Sequence, residues 1–369
     1  MNLLFFISSL GGGGAERVTA NLANHWAGKG WNVVVVTLAP ISQDAYSLDP
    51  SVKRIASNFV GNSSNLFHGV VANIRRVQAL RRVLREFNPD VVLGMMTTTA
   101  VLAIIASMGL RCRVIVSERI HPAMVSIGWL WDMLRRFTYP WAFCVVMQTT
   151  EGSRWLATHI PKAKGAVIAN PVPFPLPAGK PILSPLRTVA PGRSLLLAVG
   201  RLDVQKGFGA LLESFAFLAL RYPLWDLVLL GEGPERSRLE QQVASLGLQS
   251  RVSLPGRAGN IAEWYSRADL YVMSSRFEGF PNTLAESMAH GCAAVSYDCD
   301  TGPRDIIRHE VDGLLVTPGD GRGLAASLDR LMGDPALRLC FAERAVEVRD
   351  RFSMERIAGM WESLFKEAA

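Results

Sequence analysis

Two carboxylates, Glu278 and Glu286, flank seven residues that include the turn Gly279-Phe280-Pro281-Asn282. Thr283-Leu284-Ala285-Glu286 has the spacing of a capping box, so a helix is expected to start near Thr283. A helix start presents backbone N–H groups and the positive end of a dipole, which suits a diphosphate. Glu278, just ahead of that anion site, is placed to meet a sugar hydroxyl. Glu286, one turn inside, is placed to accept from a ribose diol. One short element would thus hold a sugar nucleotide. The plainer alternative is a capping glutamate and a solvated loop carboxylate.

Short apolar runs must position such a site. Leu3–Ile7 has the continuous apolar character of a central parallel strand, and Gly11-Gly12-Gly13-Gly14 and a helix over Ala15–Lys29 follow it. That strand–glycine–helix unit lets a ligand approach the backbone. It is not the dinucleotide fingerprint, because Glu16 takes the third glycine position, nor a P-loop, because no Gly-Lys-Ser/Thr follows. Further strands are expected at Val33–Thr37, Val91–Met95, Val114–Val116, Leu195–Val199, Leu227–Leu230, Val252–Leu254, Leu270–Met273 and Ala293–Tyr297. Asn73–Phe87 reads as an amphipathic helix, with Arg75, Arg76, Arg81, Arg82 and Arg85 off its apolar stripe. Trp129, Trp131, Arg135, Arg136, Tyr139 and Trp141 interleave aromatics with arginines, as at a membrane interface or in a core. Seven of the 20 prolines fall within 170–193, which reads as a linker.

Composition narrows the function classes. The 369 residues are 49% hydrophobic and 19% charged, which suits two folded domains and excludes a disordered chain. Five cysteines without a Cys-x-x-Cys pair argue against a disulfide framework or structural zinc. Residues 1–180 hold 18 basic and 8 acidic residues and the remainder 21 and 24, so the N-terminal half carries the net charge of +7. With no nucleic-acid-reading motif in view, a membrane surface or a lipid diphosphate is the expected anionic partner. Met1–Ala15 lacks the positive start and cleavage site of a signal peptide. Val91–Leu110 carries no charge, yet Gly94 and Thr97-Thr98-Thr99 interrupt it, so a buried strand and helix are expected there instead of a transmembrane span. Asp298-Cys299-Asp300 matches a three-residue metal motif too short to carry a metal assignment.

The Glu278–Glu286 stretch resembles the Glu-x7-Glu region of retaining glycosyltransferases of family 4, and the likeness covers nearly the whole chain. Gly200-Arg201-Leu202-Asp203-Val204-Gln205-Lys206-Gly207 and Gly231-Glu232-Gly233-Pro234 extend it. The resemblance implies an α/β fold of the GT-B kind, with two Rossmann-like doubly wound domains facing across a cleft. Expected boundaries are 1–169 for the acceptor domain, 170–193 for the linker, 194–350 for the nucleotide-sugar domain and 351–369 for a helix crossing back. It implies that Arg201 and Lys206 hold the donor diphosphate, that Glu278 positions the donor sugar and that Glu286 holds the ribose. Gly279, Phe280, Pro281, Asn282, Thr283 and Leu284 would line the donor, Arg257 would lie beside the nucleobase, and Gly13 and Gly14 would border phosphates and acceptor. Many members show Ser-Glu-His where this chain has Ser117-Glu118-Arg119-Ile120-His121, so Arg119 or His121 would take the histidine's place.

The implied activity is a retaining hexosyltransferase acting from a nucleotide sugar on a polyprenyl-diphosphate-linked saccharide. Gly302-Pro303-Arg304-Asp305 leans the donor towards a UDP-linked hexose or N-acetylhexosamine. No cofactor and no metal are expected, and the expected place is the cytoplasm, on the inner face of the cell membrane. Rival readings are an epimerase or a sucrose- or trehalose-type synthase on the same fold, or an inactive sugar-nucleotide-binding subunit.

Overall fold

A computed structural model of the chain describes residues 1–56 and 66–368. It divides into two compact units, Met1–Asn170 with Ile357–Ala369, and Pro171–Arg356.

In the first unit the strands are β1 (Asn2–Ile7), β2 (Asn32–Thr37), β3 (Lys53–Ala56), β4 (Val91–Met95), β5 (Arg113–Ser117), β6 (Cys144–Met147) and β7 (Gly165–Val167). They form one parallel sheet in the order β3-β2-β1-β4-β5-β6-β7. Its helices are α1 (Gly14–Gly28), α2 (Leu66–Phe87), α3 (Thr97–Ser107), α4 (Trp129–Thr138) and α5 (Thr150–His159). The central strands are apolar throughout because helices cover both sheet faces: Leu3, Leu4 and Phe5 pair with Val33, Val34 and Val35 on one side, and with Val91, Val92 and Leu93 on the other. The charge-free stretch from Val91 divides into β4 and the buried α3, and among the described residues no helix is long and apolar enough to cross a membrane.

The second unit repeats the plan with β8 (Ser194–Val199), β9 (Trp225–Leu230), β10 (Val252–Gly256), β11 (Leu270–Met273), β12 (Ala294–Tyr297) and β13 (Gly313–Val316), ordered β10-β9-β8-β11-β12-β13. Its helices are α6 (Pro185–Thr188), α7 (Phe208–Ala219), α8 (Arg236–Ser245), α9 (Ile261–Arg267), α10 (Asn282–Ala289), α11 (Pro303–Ile306), α12 (Gly321–Gly333), α13 (Pro335–Ala345) and α14 (Val348–Arg351). Helix α15 (Met354–Ala368) carries the boundary between the units in its first turn. The core packs Phe208, Leu211 and Phe215 of α7 and Leu324 and Leu328 of α12 against Leu196, Leu227 and Leu229 of the sheet. The proline-rich stretch from Pro171 on is counted with this unit: Gly179 N–H donates to Gly259, and Asn260 and Trp264 both donate to the Leu183 carbonyl.

Strand order reverses between β1 and β4 in the first sheet and between β8 and β11 in the second. Loops leaving the carboxyl ends of such strand pairs diverge and open a crevice, which is where doubly wound sheets bind ligands. In the second unit the loops after β8 and β9 press together at Gly231, whose φ is +152° and where a Cβ would overlap the Gly200 carbonyl oxygen. Gly231→Ala is expected to lower unfolding stability by roughly 2 kcal/mol or more, since backbone must move to admit the methyl. Gly28→Ala, with open space around its Cβ, is the control and is expected to change stability by no more than about 0.5 kcal/mol. Chemical denaturation of both variants checks the pair.

Candidate active site

The β8–α7 and β11–α10 loops bring the first candidates together. Asp203 ends the turn after β8 and its carboxylate caps the short 3-10 segment Val204–Lys206, accepting from the Lys206 N–H. Gly207 then takes φ +63°, and a Cβ there would overlap the Ser274 carbonyl, so the loop lies flat against the end of β11. Ser274 Oγ donates to the Lys206 carbonyl at 2.9 Å, Arg276 N–H to the Gln205 carbonyl at 2.8 Å, and Gln205 Nε2 to the Phe277 carbonyl at 2.9 Å. Zipped in this way, the loops set Lys206 Nζ 2.6 Å from Glu278 Oε1, with both side chains largely buried. Arg201, by contrast, projects outward with its side chain 70% exposed, and its Nε donates to Asp203 at 2.5 Å.

Glu278 is held from behind as well. Thr301, in the loop after β12, donates its hydroxyl to the Glu278 carbonyl. Gly279, Phe280 and Pro281 lead into α10, and Phe280 is buried edge-on against Phe352 at 5.3 Å. The capping box is corrected here. Helix α10 begins at Asn282 with Pro281 in the N-cap position, and no side chain caps it. Thr283 instead accepts from the Tyr271 hydroxyl at 2.9 Å, and Glu286, 2% exposed, accepts from the Tyr265 hydroxyl at 3.2 Å. Leu284 is fully buried beneath the same turn. Short elements and the β12 loop defeat a pattern based on spacing alone, since tertiary partners compete for both side chains. Arg257, exposed after β10, adds its charge near Glu232, which Arg236 holds below the usual carboxylate range. Asp298 accepts from Arg304 at 2.9 Å, and among the described residues no cluster of three or more His, Cys, Asp or Glu stands ready for a metal.

In the first unit, Glu16 folds back over Gly13 at the start of α1, where Ser9 Oγ donates to it at 3.4 Å. A carboxylate thereby occupies the space a Gly13 side chain would need, beside Gly14. At the end of β5, Glu118 is buried, accepts from Thr97 at 2.8 Å and from Tyr139, and burial pushes its carboxyl up. Arg119 is 6% exposed and donates Nη1 to Asn170 Oδ1 at 2.5 Å. His121 is buried edge-on against Trp155, 6.1 Å between ring centres. The structure thus gives Arg119 and His121 different surroundings: a polar clamp for the first, an aromatic wall for the second. Met96, at the end of β4, adopts φ +71°, a strained value for a side-chain-bearing residue of the kind that gathers at functional sites.

Sequence reading missed Gln205, Ser274 and Thr301, which position the Lys206–Glu278 pair, and Asn170 and Gln148, which clamp Arg119. Gln205 carried a signal inside the Gly200–Gly207 motif, and Thr301 carried one beside Gly302 in a loop at a carboxyl end. A cavity of about 1260 Å³ lies between α7 and α12, lined by Phe217, Arg221 and Asp320 among others, and contains none of the candidate residues.

Residues 193–334 match the family described as "Glycosyl transferases group 1", and residues 13–171 match the "Glycosyl transferase 4-like domain". Together the two family models span most of the chain, and the chain belongs to the glycosyltransferases that they describe. This glycosyltransferase is 27% identical over 368 residues to the "GalNAc-alpha-(1->4)-GalNAc-alpha-(1->3)-diNAcBac-PP-undecaprenol alpha-1,4-N-acetyl-D-galactosaminyltransferase" of Campylobacter jejuni, covering 100% of this chain and 99% of the relative. It is 33% identical over 290 residues to an exopolysaccharide phosphotransferase of Streptomyces coelicolor, covering 78% of this chain but 30% of that protein, so it matches less than a third of that relative's length. Its fold, of the GT-B kind, is similar to that of Anabaena HepE in complex with UDP, with a TM-score of 0.79 at 20% identity and full coverage of both chains.

The Lys206–Glu278 pair is a testable anchor. Each of Lys206→Met and Glu278→Gln is expected to cost about 2–3 kcal/mol of stability, because it strands a largely buried charge. The double variant should recover at least about 1 kcal/mol of the summed loss. Denaturant titration of the four proteins reads the cycle, and strictly additive losses would contradict the pairing.

Proposed function

We propose that this glycosyltransferase moves a hexose or N-acetylhexosamine from a UDP-sugar to a polyprenyl-diphosphate-linked saccharide, with retention at the anomeric carbon. The observation that carries the reading is Lys206 fixed against Glu278 at 2.6 Å beside the uncapped start of α10. Breaking the sugar–phosphate bond leaves negative charge on the departing diphosphate. Lys206, Arg201 and the N–H groups at Gly279, Phe280, Asn282 and Thr283 are the groups proposed to stabilise that charge. Glu278 orients the sugar through its hydroxyls, while Glu286 and Leu284 line the ribose side and Arg257 the base. The C1–O bond to phosphate breaks as the acceptor oxygen bonds to C1 on the same face. The acceptor's proton passes to the departing phosphate oxygen, so no residue is required as a covalent nucleophile. Gly13, Gly14 and one of Arg119 and His121 are the residues proposed to meet substrate in the first unit. The UDP bound to HepE and the undecaprenyl-linked substrate in the Campylobacter enzyme's name support the choice of donor and acceptor.

An anionic membrane surface is the proposed place of action. Trp129, Met133 and Phe137 recur at every fourth residue of α4, and Trp129 is 72% and Phe137 65% exposed, with Trp141 beyond them. A stripe of exposed aromatics beside Arg136 suits insertion at the level of lipid headgroups. On α2 the exposed arginines are Arg75, Arg82 and Arg85. Arg81 is diverted to the Ala106 and Met108 carbonyls at the end of α3, and Arg76 donates to Asn73.

Lys206→Met and Glu278→Gln should each lower transfer to an undecaprenyl-diphosphate-linked saccharide by about 10²–10³-fold, as loss of a transition-state charge contact does. Rates within twofold of wild type, in protein shown to be folded, would overturn the site. For the membrane, the Trp129→Ser/Phe137→Ser variant should lose most of its co-sedimentation with vesicles containing anionic lipid. Arg75→Gln/Arg82→Gln/Arg85→Gln should lose chiefly the salt-sensitive part. Unchanged sedimentation of both variants would remove these helices from membrane contact.

A further inference from the structure

Arg119 is a buried cation whose surroundings are half complete. Its Nη1 donates to Asn170 Oδ1 at 2.5 Å, the same oxygen that accepts from Gln148 Nε2 at 2.6 Å, and its guanidinium carbon lies 6.0 Å from the centre of the Trp361 ring. Its other two nitrogens, Nε and Nη2, meet no acceptor among the described residues. The neighbouring carboxylate does not serve, because Glu118 is taken up by Thr97 and Tyr139. Burial pushes the guanidinium down to about 9, a sign of the cost of holding it there. An apolar side chain would fill the place without that cost.

The edge formed by Nε and Nη2 is the fork that grips two oxygens of one anion. The chain uses it so elsewhere. Arg236 holds Glu232 through Nε and Nη2 at 2.8 and 2.6 Å. Arg54 holds Asp44 through Nε and Nη2 at 2.9 Å each, and Arg193 holds Asp226 through the same two atoms at 2.6 and 2.7 Å. In Arg119 the third nitrogen is tied down, the plane is fixed, and the fork stands just past the carboxyl end of β5, on the side of the sheet where doubly wound folds receive ligands.

We infer that the Nε–Nη2 edge of Arg119 binds a phosphate-class anion, and that Asn170 and Trp361 are positioning residues that hold the fork for it. The inference rests on the function proposed above only for the source of that anion: the nucleotide sugar and the polyprenyl-linked acceptor each carry a diphosphate. A lysine would keep the charge and lose the two-oxygen grip.

The test uses the full chain, wild type and Arg119→Met, with UDP as one probe and farnesyl diphosphate, added at saturating UDP, as the other. Binding is read by calorimetry and unfolding by thermal shift. Arg119→Met should unfold at the wild-type temperature or above it, and should bind one probe at least tenfold more weakly. Weakened UDP binding assigns the fork to the donor diphosphate; weakened farnesyl diphosphate binding with UDP unchanged assigns it to the acceptor. Affinities for both probes within twofold of wild type overturn the inference whatever the unfolding temperature does, and so does failure of the wild type to bind either probe. If Arg119→Met does not fold, Arg119→Lys carries the same comparison. Transfer activity with unaltered probe affinities would sink this site and leave the function standing, whereas altered affinity without any transfer would do the reverse.

Discussion

The contact between Lys206 and Glu278 ties together the loops at the point where the second unit's strand order reverses. Their backbones belong to loops leaving β8 and β11, the strands at which the sheet changes direction, so the ion pair spans the crevice that this topology opens. Several hydrogen bonds and one glycine in a left-handed conformation put the ammonium there. A lysine left to itself samples many rotamers, and fixing it beforehand removes an entropy cost from ligand binding. The pair is neutral, so the loops can pack tightly. A diphosphate arriving at the same ammonium would share a cation already in position and need no reorganisation as charge develops.

The first unit meets its charges differently. Its buried carboxylate, Glu118, is satisfied by hydroxyls, and burial raises its affinity for a proton. The guanidinium of Arg119 is anchored by an amide and flanked by an aromatic ring, with its fork turned to neither carboxylate nor carbonyl among the described residues. One unit fixes a cation by pairing it; the other fixes one by clamping it. Both devices stand at or beside the carboxyl ends of parallel strands. That shared location follows from the fold, whereas the chemistry at each site follows from single residues in the loops.

Much of this architecture was legible in the chain. Continuous apolar runs such as Val91–Met95 and Leu270–Met273 became strands with those same ends, because residues buried on both faces of a parallel sheet leave an unmistakable pattern. Strands β3, β6, β7 and β13 were not foreseen: Lys53-Arg54-Ile55-Ala56 is half charged, and the other three are only three or four residues long. Motif residues were legible as types, yet their surroundings were not. Spacing pointed to Glu286 as a capping residue, and it is instead buried against Tyr265, a partner 21 positions away that no local rule reveals. Five arginines on α2 looked equivalent in sequence; the fold turns Arg81 inward to cap α3 and leaves three at the surface. The clamp on Arg119 joins positions 119, 148 and 170, which only the sheet brings together.

Retaining transfer from a UDP-sugar to a lipid-linked acceptor would be read from the anomeric configuration of the product. A UDP-α-sugar labelled with carbon-13 at C1 would be incubated with the enzyme and an undecaprenyl-diphosphate-linked saccharide, and the new linkage read from its one-bond C1–H1 coupling by NMR. An α-linked product is expected, with UDP released in equal amount. A β-linked product would contradict the retaining mechanism, and release of free sugar without any linkage to the acceptor would contradict the transferase reading itself.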